Sequence, residues 1–143
     1  MSDPKDDARR LIESCFAFAT ELLSKQGEFY PFGQRLGCDG ELVHDLVYTG
    51  DDHPDSASLI ADTRKVWRAM ASKNEIVATA LAYECVVRAA EDDSSYDAIC
   101  IAVDHVAGIS INVLFPYTFE AGALSVSEGT SECRPPEVFG VGI

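Results

Sequence analysis

Between Tyr96 and Tyr117 apolar residues alternate with small or polar ones twice in succession, and no other feature of the chain limits its fold so closely. Ile99, Ile101 and Val103 share one side of the first run; Ile111, Val113 and Phe115 share one side of the second. A period of two marks a strand with one buried face. Only Val106-Ala107-Gly108 separates the runs, a link too short for a parallel crossover, so the pair must form an antiparallel hairpin. Its other side carries Tyr96, Ala98, Cys100, Ala102 and Asp104 on one strand and Ser110, Asn112 and Leu114 on its partner. That small, mixed face is expected to meet solvent, a partner or the chain's own tail. Upstream, Ile76 to Arg88 is rich in Val, Ala and Tyr and reads as a further strand, joined to the hairpin by the polar loop Glu91-Asp92-Asp93-Ser94-Ser95.

The first element is a helix. Asp3 suits the N-cap and Pro4 the first helical position, Asp6 and Asp7 oppose the positive end of the dipole, and Gly27 is the stop. Leu11, Cys15, Phe18 and Leu22, flanked by Ile12, Phe16, Ala19 and Leu23, form a wide apolar stripe for burial against a sheet or a second copy of the chain. The segment Gly27-Glu28-Phe29-Tyr30-Pro31-Phe32-Gly33 follows at once. Phe29 to Leu36 and Glu41 to Tyr48 read as two strands around Gly37-Cys38-Asp39-Gly40, a hairpin loop. Pro31 cannot donate to a ladder, which places the first strand at a sheet edge or gives it an irregular start. Alternation sends Tyr30 and Phe32 to one face and Phe29 to the other. The rings either seal the junction of helix and sheet or make Phe29, Tyr30 and Phe32 an exposed platform for a ligand or peptide.

The most polar stretch runs from Thr49 to Ser56. Asp51, Asp52, His53 and Asp55 are the candidate ligands for a divalent metal, although calcium-loop spacing is absent. The same residues also suit a helix entrance, with His53 or Asp55 as cap and Pro54 in the first turn. The helix is expected from about Asp55 to Lys73, with Leu59, Thr63, Val66 and Met70 as its stripe, Ile60 and Trp67 beside them, and Asn74 as terminator. Trp67, the sole tryptophan, should anchor it on the sheet while its indole nitrogen finds a partner.

Residues 1–118 are therefore expected to form one α+β domain, and residues 119–143, broken by glycine, serine and Pro135-Pro136, a partly ordered C-terminal tail in which Val138 and Phe139 can dock. The element order is α-β-β-α-β-β-β, with one antiparallel sheet of about five strands and both helices on one face.

With 24 acids against 11 bases the net charge is −13. Free nucleic acid and anionic membranes are poor partners, because the basic residues are scattered and cluster no further than the isolated pairs Arg9-Arg10 and Arg64-Lys65. No apolar run is long enough to span a bilayer and the N-terminus lacks a secretory pattern, so the expected location is the cytoplasm. Five cysteines without a C-x-x-C pair point to free thiols, with Cys15, Cys85 and Cys100 in apolar segments as small hydrophobes. His44-Asp45 and Asp104-His105 are adjacent acid and imidazole pairs, but consecutive strand residues face opposite ways and neither makes a catalytic dyad. With no nucleophile elbow and no glycine-rich phosphate loop, no catalytic residue and no cofactor are expected.

The element order resembles the roadblock and profilin-like sandwiches and, more loosely, the small acidic chaperones of type III secretion, which are dimers that hold an extended client. Gly27 to Gly33, with Cys38-Asp39-Gly40-Glu41 and Leu114-Phe115-Pro116-Tyr117, also looks like small bacterial proteins of uncharacterised function. Neither resemblance carries an active residue. The reading is a non-enzymatic protein- or peptide-interaction module, forming a homodimer and binding by its sheet surface or edge. The alternatives are a metal-binding protein or metal-dependent enzyme using the Asp51 to Asp55 loop, and an acidic toxin-neutralising protein of the immunity type with a basic partner.

Overall fold

The helix expected at the N-terminus forms with the expected caps. In the computed structural model, which describes residues 3–45, 55–88 and 94–140, α1 spans Pro4–Gln26. The Asp3 carboxylate accepts the Lys5 amide at 2.9 Å, and Gly27, at φ 78°, closes the helix by donating its N–H to the Leu23 carbonyl. Next come β1 (Phe32–Gly37), β2 (Leu42–Asp45), α2 (Ser56–Ser72), β3 (Ile76–Arg88), β4 (Ser95–His105), β5 (Ser110–Glu120), β6 (Ala123–Val126) and β7 (Thr130–Cys133).

All strand pairings are antiparallel, in the order β2-β1-β3-β4-β5-β6, with β7 also on β5. The architecture is thus the expected α+β one, with a larger sheet. The two added strands come from residues expected to be tail. β6 pairs with Tyr117 to Glu120 and β7 with Ile111 to Leu114, so both run along the outer edge of β5 as one interrupted strand. At the interruption Ser127 N–H bonds the Pro116 carbonyl at 2.7 Å. Gly129 passes so close to Phe115 that a Cβ there would come within 2.5 Å of Cε1 of the ring. Every residue of β7 is exposed, so this strand is held by main-chain pairing rather than burial and leaves no apolar alternation in the sequence.

The helices lie on opposite faces of the sheet, which corrects the expectation that one face carries both. Leu11, Cys15, Ala19 and Leu23 of α1 pack with Phe32 and Leu36, with Ala78, Ala80 and Ala82 of β3, and with Ile99, Ile101 and Val103 of β4. Trp67 of α2 packs instead with Leu81, Ala102, Val138 and Phe139. Leu81 alternates with Ala80 and Ala82, so its side chain belongs to the other face. The cause is visible in β3, where Ala78 to Ala82 are all buried: a central strand covered on both sides loses its period of two.

Two smaller corrections follow from the same geometry. β1 lies between β2 and β3 rather than at an edge, and Pro31 is accommodated because the strand begins after it. On α2 the buried stripe is Leu59, Thr63 and Trp67, whereas Val66 is 56% exposed. Asn74 ends this region at φ 58°, as its left-handed tolerance suggests.

Candidate functional site

The aromatic segment does not form the platform considered for it. Phe29 and Phe32 are buried, their centroids 5.6 Å apart, and Phe18 meets Phe32 edge-on at 4.8 Å, so both residues seal the junction of α1 and the sheet. Only Tyr30 is exposed. Of the metal candidates, Asp51, Asp52 and His53 lie outside the described residues. Asp55 is the N-cap of α2 and accepts the Ser58 hydroxyl at 2.8 Å. Among the described residues no group of three or more His, Cys, Asp or Glu side chains is placed to hold a metal.

The imidazole and carboxylate pairs separate across the sheet as alternation requires. His105 turns toward α1, its Nε2 2.9 Å from Asp7, while its Nδ1 accepts the Ala107 amide at 3.0 Å. That acceptance places the proton on Nε2, and both ring nitrogens are engaged. His44 stacks on Phe32 and meets Phe18 edge-on, and its Nδ1 lies 3.1 Å from Gln34 Nε2. Burial holds its pKa below the ordinary histidine value, against a weaker opposing pull from Asp45. Asp45, its neighbour in sequence, faces the other way and accepts both Arg35 at 2.6 Å and the Trp67 indole N–H at 3.0 Å.

Asp104 organises the second face. Its Oδ1 takes Arg134 Nη2 at 2.6 Å, and its Oδ2 takes the amides of Glu137 and Val138 at 2.7 and 2.8 Å. Asp104 is 2% exposed, and this cradle of one guanidinium and two amides is what a buried carboxylate requires. Arg64 pairs with the Glu137 carboxylate, and Arg68 Nε donates to the Glu137 carbonyl at 2.7 Å, tying the tail to α2. A groove of about 830 Å³ opens beside it, bordered by Arg68, Ser72, His105, Ile109, Pro136 and Phe139.

The outer edge of β6 and β7 is the feature that sequence patterning missed. Arg134 N–H reaches the Ser110 carbonyl at 3.1 Å, so in the register Asn112↔Glu132 and Leu114↔Thr130 the bonded pairs alternate with Ile111↔Cys133 and Val113↔Ser131. Ser131 and Cys133 therefore direct their main-chain N–H and C=O groups away from β5. Along β6 the Ser127 bond to Pro116 sets the same alternation and directs the main-chain N–H and C=O groups of Leu124 and Val126 outward, while their side chains pack against the core under α1. Glu120, Glu128 and Glu132 are exposed along this border, beside Phe119 at 44% exposure. The edge thus offers hydrogen-bonding groups and an apolar ring within a negative field.

Comparison with protein-family models, curated proteins and solved structures finds no match for this chain.

Proposed function

We propose that this chain is a non-enzymatic interaction module that captures an extended, basic segment of a partner protein by adding it as a strand to the β6–β7 edge. The observation that carries the reading is the outward set of N–H and C=O groups at Ser131 and Cys133 on a strand exposed throughout. Main-chain groups give such a guest affinity without demanding a sequence, and side chains on alternate positions give it selectivity. The net charge of −13, with Glu128 and Glu132 at the edge, selects a basic guest and speeds its encounter. The same acids oppose edge-to-edge pairing of two copies, so the homodimer expected from the element order would use another surface.

Ser131→Pro tests this directly. The substitution removes an outward N–H while leaving the β5 ladder intact, because the Ser131 amide is not part of that ladder. Fluorescence anisotropy with a labelled alternating lysine–valine peptide should show salt-sensitive binding to the native chain and at least tenfold weaker binding to the variant. Equal binding to both, or equal binding of a glutamate–valine peptide, would refute the reading. Sedimentation of the native chain then reports separately on self-association.

A further inference from the structure

The groove of about 830 Å³ beside the Asp104 anchor plays no part in strand addition, and its volume is that of a small-molecule site. The chain carries 24 acids, yet no Asp or Glu borders this groove, whereas Arg68 and Arg134 do. Arg134 is fully engaged: its Nη2 donates to Asp104 at 2.6 Å, its Nε to Asn112 at 2.7 Å and its Nη1 to the Pro135 carbonyl at 3.1 Å. Arg68 is not. Its Nε donates to the Glu137 carbonyl at 2.7 Å, a neutral acceptor that fixes the plane of the guanidinium without cancelling its charge. The Glu137 carboxylate pairs instead with Arg64. Among the described residues no carboxylate pairs with Arg68, and its two terminal amino groups donate no hydrogen bond. Within this network the guanidiniums of Arg64, Arg68 and Arg134 meet only the carboxylates of Asp104 and Glu137, which leaves one positive charge uncompensated at the groove. Much of the remaining border is apolar and still open: Val106 is 58% exposed, Pro136 is exposed, and Ile109 and Ile111 are half-buried.

We propose that this groove binds a small amphipathic monocarboxylate, its carboxylate on the terminal amino groups of Arg68 and its aromatic or aliphatic body against Val106, Ile109, Pro136 and Phe139. A planar carboxylate matches the guanidinium fork and forms charge-assisted hydrogen bonds with it, while the body takes the open apolar walls out of water. A dianion such as a phosphate monoester would find one free cation for two charges, in the field of a chain whose net charge is −13. The site is independent of strand addition, because neither Arg68 nor these four apolar residues belong to β6 or β7.

The test is an amide NMR titration of the isotope-labelled full chain at neutral pH with 4-phenylbutyrate, set against 4-phenylbutanol, which has the same body and no charge. The acid should shift the amides of Arg68, Val106, Ile109 and Phe139, and should bind about tenfold more tightly than the alcohol, by a margin that shrinks as salt rises. Arg68→Gln should erase that preference. Equal binding of acid and alcohol to the native chain, shifts confined to residues outside the groove, or no shift at all with the acid in large excess would each overturn the proposal. Those outcomes are read on the native chain, so a failure of Arg68→Gln to fold does not obscure them.

Discussion

The Arg134 guanidinium sits 2.6 Å from the Asp104 carboxylate, joining the end of the last strand to the buried second face of β4. Side-chain exposures of 10% and 2% make this a desolvated pair, and the amides of Glu137 and Val138 complete the carboxylate's shell. Burying such a charge is tolerable only while its partners remain. The segment from Arg134 to Phe139 is therefore fixed by a polar anchor before its two apolar residues reach Trp67.

Arg134→Ala should lower the unfolding free energy by about 3 kcal/mol, because it leaves Asp104 buried without a counter-ion. Urea denaturation followed by tryptophan fluorescence measures this, with Trp67 reporting on the face that Val138 and Phe139 cover. A loss below about 1 kcal/mol would mean that the two amides alone satisfy the carboxylate.

Gly33 of β1 lies against the Trp67 ring of α2. A methyl group there would lie 2.5 Å from Trp67 Cη2, inside van der Waals contact. Gly33→Ala should cost about 1–3 kcal/mol by overpacking and shift the tryptophan emission. Trp67→Phe removes the clashing ring edge along with the bond to Asp45, so the double variant should lose less than the sum of the single losses. Strict additivity would place Trp67 elsewhere.

His44 gives the fold an acid-sensitive point. Its folded pKa is lowered, mainly by burial, so the unfolded chain takes up a proton more readily than the folded one. The stabilising contribution of neutral His44 is fully present above the unfolded value of about 6.5, declines as pH falls through that value, and levels off below the folded pKa. NMR titration of the His44 ring should give a midpoint below the ordinary histidine value, and His44→Phe should flatten the fall in denaturation midpoint between about pH 7 and pH 5. A midpoint above the ordinary value would reverse the sign and contradict the packing of His44 against Phe32 and Phe18.

What could be read in advance was local. The cap at Asp3, the stop at Gly27 and the hairpin through Gly108 each depend on residues within a few positions of one another, and all three form. The placement of α2 was harder to read, since its stripe does not say which face it will meet. A signal was nevertheless present in Ala78-Thr79-Ala80-Leu81-Ala82, a run without alternation that marks a strand covered on both sides. Strand β7 left no such trace, because Thr130-Ser131-Glu132-Cys133 pairs by its backbone and buries nothing, whereas β6 carries a short alternation in Leu124 and Val126, which pack against the core. The anchor of β7, Asp104 with Arg134, joins residues far apart in the chain that no periodicity connects. The aromatic segment stood out in sequence for its density of rings, yet Phe29 and Phe32 serve the core while the exposed β7 strand is Thr130-Ser131-Glu132-Cys133, without a ring.

Amide hydrogen exchange resolved to single residues tests the strand-addition reading most directly. With the alternating lysine–valine peptide present, the outward amides of Ser131 and Cys133 should slow markedly, while those of Thr130 and Glu132, already bonded to β5, should change little. Unchanged exchange at Ser131 and Cys133 under saturating peptide, or protection confined to Leu42–Asp45 on the opposite edge, would contradict it.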